Sequence, residues 1–125
     1  MTNEPFNFRI FLRSPKYAVI VVSENELYSA YNIEELAEIC FHFNPTDNDL
    51  EAIVLDSTGD EFQYFAEHTT LMPDFLSKKW TKKMIIELFN ESLDAKELAT
   101  EYPLKSISNK RISQIVGEIC GLLNS

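Results

Sequence analysis

The chain has 125 residues, 45% of them hydrophobic and including nine Phe and five Tyr, enough for one packed core and too apolar throughout for disorder. Its 20 acidic and 11 basic side chains leave a formal net charge of −9, a field that repels nucleic acid and anionic membrane and attracts cationic surfaces. The longest apolar run, Tyr17 to Val22, is far below the ~20 residues of a membrane span, the first residues lack a signal-peptide pattern, and two cysteines cannot build a disulfide scaffold.

These features predict a cytoplasmic protein forming a single domain over residues 1–125. Charge is unevenly placed within it. Residues 1–77 hold 14 acids and 3 bases, whereas residues 78–125 hold 6 acids and 8 bases.

In chain order, Phe6 to Arg13 alternates. Phe6, Phe8, Ile10 and Leu12 face one way and Asn7, Arg9 and Arg13 the other, which predicts a half-buried strand with Phe11 exposed. Ser14-Pro15-Lys16 reads as a turn. Tyr17 to Val22 reads as a β-branched strand covered on both faces, and the two strands are expected to pair as a hairpin. Tyr28 and Tyr31 precede a helix capped by Asn32, with Glu35 as its capping-box partner and Ile33, Leu36, Ala37, Cys40 and Phe43 as its inner stripe. That helix ends before Pro45, and Asn44 to Asp49 is a polar loop.

Glu51 to Asp56 and Glu61 to Glu67 read as a second hairpin, closed by Ser57-Thr58-Gly59-Asp60 with Gly59 free to take positive φ. Pro73-Asp74 suits a helix start, which puts Lys78, Lys79, Lys82 and Lys83 mid-helix, Trp80 in the core, and Met84, Ile85, Leu88 and Phe89 on one stripe. Asp94 is a cap for a short helix reaching Tyr102. Ser108 is a cap for a last helix striped by Ile112, Ile115, Val116, Ile119, Cys120 and Leu123. The order ββ-α-ββ-α-(α)-α predicts an α+β fold, an antiparallel sheet of about four strands in two hairpins covered by helices. Cys40 and Cys120 lie on apolar stripes and are expected to be buried, reduced thiols.

No catalytic pattern stands out. His42 and His68 fall in different elements, and no zinc spacing exists. Asp47-Asn-Asp49-Leu-Glu51 lacks the glycine and terminal Glu of a calcium loop, and three glycines make no phosphate cradle. Glu67 and His68 are neighbours on a predicted strand and face opposite ways. The lysines around Trp80 could contact phosphates, but four lysines are a poor nucleic-acid footprint in so acidic a chain. The expectation is a protein that is not an enzyme and needs no metal or cofactor. A small enzyme using Asp56, Glu67 or His68 is one alternative.

The acids are more informative. Glu34 and Glu38 form an i,i+4 like-charge pair in a helix without a base, a cost of ~0.2–0.5 kcal/mol. The helix dipole welcomes Glu34 and Glu35, yet between Pro15 and Ser77 the only base is Lys16. An acidic docking surface follows, with Glu34, Glu35, Glu38, Asp47, Asp49, Asp60 and Glu61 as contacts and Tyr31 and Phe65 as apolar anchors. In composition the chain resembles bacterial immunity proteins and antitoxins. That resemblance implies a basic protein partner such as a nuclease toxin, steered electrostatically and blocked at or beside its active site. Dimeric secretion-type chaperones are also similar in make-up, and would bind an extended client and dimerise through the last helix. The chain is thus expected to be a monomer or a homodimer, with sizing as the discriminating observation.

Overall fold

A computed structural model describes residues 7–43 and 52–124. The strands are β1 (Arg9–Ile10), β2 (Val19–Ser23), β3 (Glu26–Ala30), β4 (Ala52–Leu55), β5 (Glu61–Phe65) and β6 (Thr70–Pro73). The helices are α1 (Ile33–Phe41), α2 (Lys82–Glu91), α3 (Leu93–Leu98) and α4 (Ile112–Leu123), with short 3-10 segments at Ala66–His68 between β5 and β6 and at Leu104–Ser108 between α3 and α4. The strands form one sheet in the order β1-β6-β5-β4-β2-β3, antiparallel except for the parallel pair β1 and β6.

Period-two alternation divides the core between the two faces of this sheet. Val19 and Val21 of β2, Ala52 and Val54 of β4, Phe62 and Tyr64 of β5, and Leu71 of β6 pack with Leu36 and Cys40 of α1. Ile20 of β2, Leu27 of β3 and Leu55 of β4 point the other way, onto Ile85, Ile86 and Phe89 of α2, Ala95 of α3, and Ile115, Val116, Ile119 and Cys120 of α4. Each fully buried aliphatic or Phe side chain contributes ~1.5–3 kcal/mol relative to exposure, so the double-sided sheet is the main source of stability. β2 is covered on both faces, as its unbroken apolar run predicts.

The fold is α+β, with a six-stranded mixed sheet where the sequence predicts about four antiparallel strands. The difference has identifiable causes. β1 does not pair with β2: Arg9 and Ile10 sit in register with Thr70 and Leu71 instead. The hairpin turns that match strand twist need positive φ, which the proline of Ser14-Pro15-Lys16 cannot take. The positive φ here belongs to Leu12 (72°), which ends β1 early. β3 is a polar edge strand turning back from β2 through Glu24, itself left-handed at φ 56°, and its sequence Glu-Leu-Tyr-Ser-Ala carries little strand signal. β6 ends in Pro73, a residue that marks a boundary rather than a strand.

The later boundaries also move. α2 begins after Thr81, whose side chain accepts from the Met84 N–H, so Lys82 and Lys83 lie in the first turn and Lys78 and Lys79 precede the helix. Lys82 is held there by donating to the Ile107 carbonyl at 3.2 Å. Asp74 does not open a helix; its carboxylate accepts from the Leu76 N–H and the Ser77 hydroxyl in a local turn. Ser92, not Asp94, caps α3, which stops at Leu98. α4 starts after Arg111 without a side-chain cap, while Ser108 donates to the Lys105 carbonyl.

Two expectations hold closely: Asn32 accepts from the Glu35 N–H at 2.8 Å, and Gly59 takes φ 89° in the β4–β5 turn. Trp80 precedes α2 and is only partly buried against the helical cluster, where the sequence predicts a core position. Both cysteines are buried free thiols, and they lie on opposite sides of the sheet, which separates them too far for a bridge. Burial pushes each thiol up to about 12, which keeps both protonated at neutral pH.

Candidate functional site

The acidic side chains that gather in space do so at the free edge of the sheet, where β3 runs beside α1. Glu24 lies in the turn entering β3, and Glu26 and Tyr28 point from β3 toward the α1 side, the face that also takes Ala30. On α1, the buried pair Leu36 and Cys40 fixes the helix rotation and turns Glu34 and Glu38 outward, with Glu35, Ile39 and His42 beside the β3 edge.

Two clefts meet at Ile39 and His42. One, of about 440 Å³, is lined by Ser23, Glu24, Glu26, Tyr28 and Phe43 besides those two residues. The other, of about 240 Å³, adds Ser29, Glu35, Glu38 and Asn124. Four carboxylates therefore share one groove, with Glu34 exposed on the same helix.

Nothing cationic in the described chain answers them. The three ion pairs among the described residues lie elsewhere: Arg13 and Lys79 on Asp60, and Lys110 on Glu118. α1 ends at His42 and α4 at Asn124, both of which line the groove, and neither helix has a basic residue in its last turn. The carbonyl ends of two helices thus add partial negative charge to the carboxylates.

Part of the β3 edge is blocked against strand addition. Its outward-pointing Leu27 N–H donates to the Asp94 carboxylate at 2.8 Å, and the Tyr31 N–H donates to the Glu35 carboxylate at 2.7 Å. Carboxylates on an edge are a known guard against pairing with another chain. Glu35 therefore has a folding role, bracing the strand-to-helix turn as Asn32 caps the helix. Tyr28 donates to Glu26 at 3.2 Å and meets Phe43 edge-on at 6.5 Å. Its hydroxyl is shifted up by burial first, then by the Glu26 charge and hydrogen bond. Tyr31, 40% exposed, is shifted the same way by burial, then by Cys120 and Glu35.

Of the residues singled out from sequence, the structure brings Glu35, Glu38 and Tyr31 to this edge, while Glu34 is exposed on α1 outside both clefts, near Tyr17. Asp47 and Asp49 lie outside the described residues. Asp60 and Glu61 stand at the start of β5, separated from β3 by β4 and β2, and are engaged within the chain. Asp60 meets Arg13 at 3.3 Å and Lys79 at 3.7 Å, and Glu61 accepts from Trp80 Nε1 at 2.8 Å. Phe65 is half-buried on the face of β5 away from α1. Glu24, Glu26, Tyr28, His42 and Asn124 were not singled out, because only the course of β3 brings the hairpin turn beside α1.

The groups considered for catalysis are placed otherwise. Asp56 is 2% exposed and accepts from the Lys16, Thr58 and Asp60 N–H groups and from the Thr58 hydroxyl, all within 3.1 Å, which organises the β4–β5 turn. Glu67 and His68 form part of an exposed 3-10 turn rather than a strand. No group of three or more His, Cys, Asp or Glu among the described residues is arranged to hold a metal ion. No described helix is long and apolar enough to cross a membrane. No protein-family model matches the chain, and neither a curated protein nor a solved structure shows significant similarity to it.

Proposed function

We propose that the chain is a non-enzymatic binding module of the immunity or antitoxin type, which docks a basic protein partner through the β3–α1 edge. The observation that supports this reading is the groove of Glu24, Glu26, Glu35 and Glu38, backed by two helix carbonyl ends and with no Lys or Arg of the described residues in ion-pairing reach. Carboxylates gathered along one edge set up a negative local potential, which favours the approach of a cationic partner. Long-range attraction steers the encounter and gives an on-rate that falls with ionic strength. Tyr28 and Tyr31, exposed at the rim, supply the apolar anchors.

Glu34 and Glu38 are the contacts that carry this reading, because they face outward and serve no capping role. Glu35 contributes charge while holding the turn. A basic nuclease is the class of partner this surface suits, since a row of carboxylates presents the charge pattern of a phosphate backbone. Affinity capture from the natural host with wild type and a Glu34→Lys/Glu38→Lys variant tests it. The expected result is a basic protein retained at low salt, released at high salt, absent from the variant, and inhibited in its nuclease activity by the wild-type chain. Capture that ignores both salt and the substitutions overturns the reading.

A further inference from the structure

The sheet is unequally covered. The cluster under α2, α3 and α4 draws its strand residues from β2, β3 and β4, and among the described residues none comes from β5, β6 or β1. On that face Gln63 and Phe65 of β5 and Thr70 and Met72 of β6 are each partly exposed. At the end where β1 and the parallel β6 both run out, exposure rises steeply: Phe11 is 52% exposed, Leu12 66%, Phe75 63% and Leu76 96%. Three of the four most exposed large apolar side chains among the described residues stand here. Asp74 holds the Phe75–Leu76 turn in place by accepting from the Leu76 N–H at 3.0 Å and the Ser77 hydroxyl at 2.7 Å. The patch is therefore a built feature of the surface.

The charges around it indicate what covers it. Arg13 and Lys79 converge on Asp60, Lys78 is exposed beside them, and Asp74 lies on the same turn. Both signs are interspersed here, whereas the β3–α1 edge carries acids alone. Two copies of a chain with net charge −9 repel each other over most of their surfaces. This end is locally balanced, because Arg13 and Lys79 already answer Asp60, so a two-fold rotation can bring two copies together here around a shared apolar centre without the repulsion met elsewhere. The last helix, by contrast, offers no such face, because Ile115, Val116, Ile119 and Cys120 are fully buried within the chain.

We propose that the end formed by Phe11, Leu12, Phe75 and Leu76 is the interface of an isologous homodimer, its occupant a second copy of this chain. The contact is apolar at its centre, so salt, which screens the repulsion between two acidic chains, leaves it intact or strengthens it. Such a dimer covers its apolar surface and presents two acidic edges outward.

Sedimentation velocity from low to high micromolar concentration tests the proposal, with wild type and a Phe75→Asp/Leu76→Asp variant. The wild type is expected to be dimeric, also in half-molar salt. The variant is expected to be monomeric with an unchanged circular-dichroism spectrum and a melting temperature that does not depend on protein concentration. A wild type that stays monomeric overturns the proposal, as does a dimer that survives the double substitution. A monomer whose patch instead takes up an extended apolar peptide overturns it in favour of a client-binding surface. Glu34→Lys/Glu38→Lys leaves the dimer in place, so failure here and failure of partner docking are told apart.

Discussion

Leu27 and Asp94 are 67 residues apart in sequence, and they meet through a 2.8 Å hydrogen bond from the backbone N–H of β3 to the carboxylate in the first turn of α3. A second bond, from the Leu93 N–H to the Asn25 carbonyl at 3.1 Å, runs beside it. Together they tie the edge of the sheet to the helical layer and fix the position of Glu24 and Glu26. Asp94→Ala removes a charge-assisted acceptor from a partly buried donor, and a loss of about 1–3 kcal/mol is expected in urea denaturation. Asp94→Asn keeps an acceptor oxygen and should lose less.

Asp56 carries a heavier structural load, with four donors aimed at one buried carboxylate. Asp56→Ala leaves those donors without a partner, so a loss of about 3 kcal/mol or more is expected in the same measurement. Were Asp56 instead a catalytic acid held in place by other contacts, its removal would leave stability nearly unchanged.

Glu35 and Glu38 lie on one helix and should separate cleanly. Glu35 accepts from Tyr31 at 2.7 Å, whereas Glu38 faces solvent. Glu35→Lys is expected to lower stability by about 1 kcal/mol, the scale of a lost cap. Glu38→Lys should be neutral or slightly stabilising, because it ends the repulsion with Glu34 and places a cation near the helix C-terminus. Equal losses at both positions would contradict this division of roles.

Stability should also depend on pH through Glu118. The Lys110 ammonium at 2.7 Å, then the Tyr102 hydroxyl and the Gln114 amide, lower its carboxyl from an ordinary 4.5 to about 2. A depressed folded-state value means the unfolded chain binds the proton more readily. The stabilisation is therefore complete above the unfolded value and fades as pH falls from about 4.5 toward about 2. Asp74, lowered by the Ser77 hydroxyl and the Leu76 N–H, acts in the same direction. Denaturation across this range, with Glu118→Gln beside wild type, should show a shallower acid slope for the variant. Identical slopes would contradict the assignment.

Much of the scaffold was legible because long apolar patterns report burial directly. The run through Val19 to Val22, the alternation of β5, the Asn32 cap and the α4 stripe all appear where their periodicity places them. What escaped is short, polar or non-local. β3 has the composition of an edge, where charge protects against pairing rather than marking a strand. The pairing of β1 with β6 joins residues about sixty positions apart and leaves no local trace. The acidic groove was half legible for the same reason: α1 announces its glutamates, but only the hidden strand brings Glu24 and Glu26 beside them. In sequence Asp60 and Glu61 stand out by charge alone, whereas in the fold Arg13, Lys79 and Trp80 engage them.

The most direct test of the acidic edge is an amide-resolved NMR titration of the full chain with a lysine-rich peptide at low salt. Shift changes should concentrate on residues 24–31 and 34–42, shrink as salt is raised, and vanish in Glu34→Lys/Glu38→Lys. Changes spread evenly over every acidic residue, with Glu87, Glu91, Glu97 and Glu101 of the helical layer responding as strongly, would contradict a dedicated cation-docking edge.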